Sequence, residues 1–228
     1  MSDVVTIALL GTESTGKTWL TQAMSRALAA RGHRVATVAE WLRTWCDQHG
    51  RTPRPDEQAG IAQTQASHVR QAVAQLAGEP SASPGFVIAD TTPLMTAIYS
   101  DWLFGDDSLY AMALAHQQTY IHTLVTGLDL PWVADGLQRD GPQVRAPIDA
   151  LLRGKLAQGD VPYKVIYGSG DERLHNALQA CQLLPSPASR DPASPEAGAE
   201  RWVWTCDKCS DPACEHRLFS RLTKPPAS

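Results

Sequence analysis

The stretch "GTESTGKT", Gly11 to Thr18, decides the fold, and it follows directly on "VVTIALL", Val4 to Leu10. Its pattern is G-x-x-x-x-G-K-T, with Gly11, Gly16, Lys17 and Thr18 in the fixed places. The run before it is apolar and β-branched, as a strand buried in a parallel sheet is. The run after it, "KTWLTQAMSRALAARG", is built from good helix formers and closed by Gly32. Strand, glycine loop and helix in that order predict a phosphate-binding loop. Its glycines let the backbone bend around an anion, and Thr12, Glu13, Ser14 and Thr15 bring further N–H groups to the hollow. The helix N-terminus adds partial positive charge. Lys17 is placed to reach the β- and γ-phosphates of ATP, and the Thr18 hydroxyl to hold magnesium. An ordinary glycine turn before a helix is the plainer alternative.

The bulk composition restricts the partners. The chain has 228 residues and a formal net charge of −4, so no global basic field invites nucleic acid. The N-terminus shows no basic-then-apolar leader, and no apolar run is long enough to span a bilayer. Five cysteines, three of them crowded near the C-terminus, do not make a secreted disulfide framework. The expectation is a soluble cytoplasmic protein, with no membrane partner and an oligomeric state left open.

Strand and helix patterns alternate along the chain. Strands are expected over Val4–Leu10, Arg34–Ala39, Gly85–Asp90 and Tyr163–Tyr167, with a weaker fourth over Leu128–Ala134, where Pro131 suggests an edge or a bulge. Helices are expected after the glycine loop and over Asp56–Leu76, Ser108–Leu124, Ala146–Gln158 and Glu172–Cys181. This rhythm predicts an α/β fold, a five-stranded parallel sheet flanked by helices, with ligands beyond the carboxyl ends of the strands. Residues 1–184 form the expected P-loop domain. Residues 185–200, "PSPASRDPASPEAGAE" from Pro185, have a linker's composition, and a small Cys-rich tail follows over 201–228.

Phosphate-binding loops serve switches, motors and kinases. No N-K-x-D segment follows the fourth strand, as a guanine-specific switch needs, and a large motor needs more chain. A Gly/Pro-rich stretch, "VADGLQRDGPQVR", carries Arg139 and Arg145 instead. Small kinases close such a lid so that arginines neutralise the transferring phosphoryl group and water is shut out. A solvated loop with two arginines is the competing account.

The acidic residues fit the same picture. Asp90 ends "GFVIAD", where an Asp can orient magnesium or accept a proton from an attacking hydroxyl; helix capping is a compatible role. Asp135 ends the weaker strand as a second candidate. Glu40 and Arg43, in "AEWLRTW", could hold an acceptor's hydroxyls or clamp a phosphate, or could simply pair at i,i+3. Trp41, Trp45, Tyr99 and Trp102 are available to stack on a flat heterocycle, although core packing is the commoner fate of such aromatics.

Taken in order, "GTESTGKTWLTQAM", "AEWLR", "FVIADTTPLMTAIYSDWLFG", "WVADGLQRDGPQVR" and "VPYKVIYGSGDERLHNAL" resemble the nicotinamide riboside kinase domain of the NadR type, from Val4 to Cys181. The resemblance implies an adenylate-kinase-like fold, ATP with magnesium, and phosphorylation of the ribose 5′-hydroxyl of nicotinamide riboside. It assigns Gly16, Lys17 and Thr18 to ATP and metal, Asp90 to the acceptor hydroxyl, and Arg139 and Arg145 to the lid. Another nucleoside, a vitamin-like alcohol, or a nucleotide-gated binding role are the alternatives. The adenylyltransferase and DNA-binding parts of some family members have no counterpart in this sequence.

The tail lies outside that resemblance. Cys206, Cys209, Cys214 and His216 give C-x-x-C, a turn at Asp211-Pro212, then C-x-H. Three thiolates and one imidazole would make a closed tetrahedral site for structural zinc, and metal binding would supply folding free energy to a segment with little core.

Overall fold

The computed structural model of the chain describes residues 4–81, 83–133 and 141–184. Within them lie strands β1 (Val4–Leu10), β2 (Arg34–Val38), β3 (Gly85–Asp90), β4 (His122–Thr126) and β5 (Lys164–Ile166). The helices are α1 (Lys17–Ala29), α2 (Trp41–His49), α3 (Pro55–Gly78), α4 (Pro93–Phe104), α5 (Tyr110–Gln117), α6 (Arg145–Gln158) and α7 (Gly170–Ala180). The strands pair in the order β2-β3-β1-β4-β5, and every pairing is parallel. The expected α/β architecture is therefore the observed one.

Alternation along β1 sorts the core. Ile7 and Leu9 pack with Leu20, Met24 and Leu28 of α1 and Ala177 and Leu178 of α7. Leu10 faces the other way, among Leu94 and Ile98 of α4 and Ile148 and Leu152 of α6. Ala8 shares that second face with Val69 and Leu76 of α3. Helices thus cover both faces, which is why β1 and β3 read as unbroken apolar runs rather than alternating ones.

The fourth strand is a correction. It spans His122–Thr126, overlapping the end of the expected helix over Ser108–Leu124, and residues 128–133 form no strand. The helix ends at Gln117 because Thr119, Tyr120, Thr123, Val125 and Thr126 are β-branched or aromatic and suit a strand better. β4 pairs Ile7 with His122 and Leu10 with Val125. A buried polar chain fixes its position: Thr92 Oγ1 donates to Gln117 Oε1 at 2.7 Å, and Gln117 Nε2 to Thr123 Oγ1 at 2.9 Å. Those two bonds tie the start of α4, the end of α5 and β4 together. Asp135, expected at the end of the weaker strand, lies outside the described residues. So do the linker, the tail and the four residues proposed for zinc, Cys206, Cys209, Cys214 and His216. Among the described residues no helix is long and apolar enough to cross a membrane.

Candidate active site

The glycine loop runs from the end of β1 to the start of α1, and its conformation needs its glycines. Gly11 sits at φ 142, and a Cβ there would stand 2.1 Å from Thr126 Oγ1. Gly16, at φ 77, is the left-handed N-cap of α1. Hydroxyls brace the loop from beneath. Thr126 Oγ1 lies 2.6 Å from Thr15 Oγ1 and 3.1 Å from the Leu10 carbonyl. Thr15 Oγ1 and Lys17 Nζ both donate to the Thr12 carbonyl, each at 2.8 Å. Ser14 Oγ donates to the Val133 carbonyl at 2.8 Å, tying the loop to the segment beyond β4.

The acidic residues arrive by strand register. Leu9 pairs with Asp90 and Val38 with Ala89, so the ends of β1, β2 and β3 stand side by side. Thr18 Oγ1 donates to Asp90 Oδ2 at 2.6 Å. Asp90 Oδ1 is buried and has no partner among the described residues. Thr91, directly after it, is held at φ 74, an unfavourable conformation for a β-branched residue and a strain of the kind found at functional sites. The capping role at α4 belongs to Thr92, whose hydroxyl accepts from the Leu94 amide at 3.3 Å, not to Asp90.

Glu40 is the N-cap residue of α2 and reaches the same ground. Burial raises its carboxyl above the usual range; Lys17 pulls it down, Asp90 pushes it up, and Arg43 pulls it down again. The pair with Arg43 is real, at 3.6 Å, with Arg43 half exposed. The i,i+3 pairing is therefore observed, and it leaves Glu40 near the loop, within electrostatic reach of Lys17 and Asp90. Gln65 of α3, unremarked in the sequence, fastens this corner. Its Oε1 accepts from the Trp41 amide at 2.7 Å, and its Nε2 donates to the Thr91 carbonyl at 3.4 Å.

The remaining candidates scatter. Arg145 is the first residue of α6 and is buried, rather than riding on a solvated loop. Its Nη1 donates to the Leu130 carbonyl at 2.9 Å, while Nε and Nη2 find no partner among the described residues. Arg139 lies outside the described residues. Tyr99 is half-buried against the core that α4 and α6 share. Trp102 is 43% exposed, and nine residues along α4 from Pro93 it stands roughly 14 Å of helix rise from the Asp90 end. Trp41 meets His68 edge-on and Trp45 stacks on His49, so both rings already have partners.

Arg173 escaped notice in the sequence altogether. In "DERLHNAL" it reads as one more surface charge on a helix, yet its side chain is 1% exposed. Its Nη2 donates to the Thr15 carbonyl at 2.9 Å, inside the glycine loop.

A family model described as an AAA domain matches residues 6–173, most of the chain. The chain belongs to that AAA domain family. No curated protein matches it in sequence. Among the solved structures that share its fold are two of NadR protein. One is of NadR protein in complex with NAD and AMP-PNP, 18% identical, with a TM-score of 0.57, covering 79% of this chain and 49% of that one. The other is of NadR protein in complex with NR, also 18% identical, with a TM-score of 0.59 and the same coverage. The chain spans about half the length of those structures. At that identity the likeness is one of fold, and it is the fold expected from the ordered motifs. This AAA domain has a P-loop NTPase-like fold, a five-stranded parallel sheet flanked by helices.

Proposed function

We propose that the chain transfers the γ-phosphoryl group of ATP to a small-molecule hydroxyl, and that the acceptor is the ribose 5′-hydroxyl of nicotinamide riboside. The observation that carries this reading is the 2.6 Å contact of Thr18 with Asp90 at the mouth of the glycine loop, with Glu40 in electrostatic reach. Asp90 suffices to serve the metal, and Glu40, a second carboxylate near the same lysine, is the group a transfer step would use.

The residues present fit a magnesium nucleotide. Gly11 lets the loop pass tightly over Thr126, where a Cβ would collide, and the backbone amides of such a loop can line a phosphate hollow. Thr18 and Asp90 offer hard oxygens, and Asp90 Oδ1 is unspent. When bound, the magnesium nucleotide supplies the phosphoryl group and part of the charge neutralisation. The chain does the rest by position. Loop amides and Lys17 would hold the phosphates. Asp90 would keep Thr18 oriented toward the metal. Glu40, whose proton affinity is raised, would take the proton the acceptor hydroxyl loses as its oxygen bonds to phosphorus and the β,γ-bridge breaks. Arg145, with two donors unspent, and Arg139 would face the transferring group. The two NadR complexes, one with AMP-PNP and one with NR, support this choice of donor and acceptor.

A panel of ribosides and vitamin-like alcohols with ATP and magnesium tests the reading. ADP release that depends steeply on nicotinamide riboside is expected. Equal dependence on another nucleoside would move the acceptor and keep the kinase. Acceptor-independent release would leave a slow ATPase and end the proposal.

A further inference from the structure

We propose that Arg173 is a positioning residue that presets the glycine loop for phosphate by holding the Thr15 carbonyl turned out of its hollow; this rests on the nucleotide-binding part of the reading above. The guanidinium is 1% exposed, and it gathers three loops at the carboxyl end of the sheet. Nη2 donates to the Thr15 carbonyl at 2.9 Å and lies 3.4 Å from the Gly127 carbonyl, where β4 ends. Nη1 donates to the Gly168 carbonyl, where β5 ends, and stands 3.2 and 3.3 Å from the two Asp129 oxygens. Asp129 Oδ2 also accepts from the Gly168 amide at 2.7 Å.

A charge this buried is costly unless its donors are met, and an apolar residue could fill the same space. What an apolar residue cannot do is hold a carbonyl. In a trans peptide the C=O and the N–H of the next residue point in opposite directions. With the Thr15 oxygen fixed on Arg173 beneath the loop, the Gly16 N–H is aimed the other way, into the hollow. Gly16 is also the left-handed cap of α1, so its amide is among those an anion at this helix start would meet. The fork of the guanidinium is what allows one side chain to hold the loop, the β4 exit and the β5 exit together; a lysine ammonium lacks that planar reach.

The test compares the full chain with its Arg173→Lys and Asp129→Asn variants. Each is titrated with ATP plus magnesium and with inorganic tripolyphosphate, with thermal unfolding alongside and with the Gly16 amide followed in ¹⁵N-glycine-labelled protein. Arg173→Lys should weaken both probes by about tenfold or more, the scale of one lost charge-assisted hydrogen bond. Its Gly16 amide should lose most of the downfield movement that tripolyphosphate produces in the unaltered chain. Asp129→Asn still accepts the Gly168 N–H and leaves the Thr15 carbonyl on Arg173, so its affinities should stay within about threefold. Unchanged binding in Arg173→Lys, or equal weakening in both variants, overturns the proposal. The unaltered chain gives an arm that needs no variant to fold: a Gly16 amide that ignores tripolyphosphate overturns it as well. An acceptor panel with no turnover would end the kinase reading and leave this inference standing, since only nucleotide binding is read here.

Discussion

Thr18 Oγ1 donates to Asp90 Oδ2 at 2.6 Å, joining the first turn of α1 to the end of β3 across 72 positions of sequence. A hydroxyl on a carboxylate is a charge-assisted bond worth about 1.5–3 kcal/mol, enough to fix the Thr18 rotamer. Asp90→Asn keeps the shape and the acceptor oxygen but removes the charge. The transfer rate should fall by about a hundredfold or more, the scale on which a misplaced electrostatic group acts, while ATP affinity changes less. Turnover that survives with only ATP binding weakened would make Asp90 a nucleotide-binding group with no part in the transfer rate.

Lys17→Ala should abolish transfer and leave the fold intact. The side chain is only partly buried, and the Thr12 carbonyl to which it donates is also served by Thr15 Oγ1. Losing it therefore costs the core little, whereas losing a cation beside the phosphates costs the reaction its charge neutralisation. Circular dichroism should show an unchanged transition, and a coupled assay no ADP above background. Full turnover in this variant would sink the kinase reading.

The glycine loop, β1 and β3 were legible in the sequence because their signals are local. Glycines sit where only positive φ serves, and apolar runs sit where both sheet faces are covered. β4 was not legible, because "YAMALAHQ" and "HTLVT" lie only four residues apart and the helical signal overran the strand. The acidic corner was half legible. Asp90 announces itself by ending an apolar strand, but Glu40 becomes part of the site only through the pairing of Val38 with Ala89. Arg173 could not be read at all. Next to Asp171 and Glu172 it looks like any charged helix start, and its burial is created by a contact 158 positions away. Its acidic partner Asp129 stands 44 positions away and its other acceptors are backbone carbonyls, so nothing beside it in the sequence betrays it.

Arg145 is expected to act on the moving phosphoryl group rather than on the acceptor. It is buried, spends Nη1 on the Leu130 carbonyl at 2.9 Å, and keeps Nε and Nη2 without partners among the described residues. Arg145→Lys retains a positive charge and loses the fork. It should lower kcat by more than it raises the acceptor KM, since the second contact is wanted most in the transition state. Unchanged kinetics with a lowered Tm would make Arg145 a brace for Leu130 alone.

The pH dependence should separate Glu40 from Asp90. Burial comes first among the causes that raise the Glu40 carboxyl, and the neighbouring Asp90 charge raises it further against Lys17 and Arg43. As the group that takes the acceptor's proton, Glu40 must be ionised, so activity should fall as pH drops through that raised pKa. Glu40→Gln should lower kcat/KM about a hundredfold or more near neutrality, the usual loss for a general base, and flatten this acid limb. Asp90→Asn should lower the rate and keep a limb, displaced toward lower pH because one raising charge is gone. The stability consequence has the opposite sign from that of an ordinary carboxylate. The folded chain holds the Glu40 proton more tightly than the unfolded chain does, so the favourable contribution is complete below the unfolded pKa and is lost as pH rises through the folded one. Glu40→Gln should therefore unfold at a higher temperature than the unaltered chain at pH 7, less what the Arg43 pair contributes. That pair is 3.6 Å long with Arg43 half exposed, so the deduction is small. The advantage should vanish toward pH 4. An acid limb that persists in Glu40→Gln, with a Tm difference that ignores pH, would return the proton to Asp90.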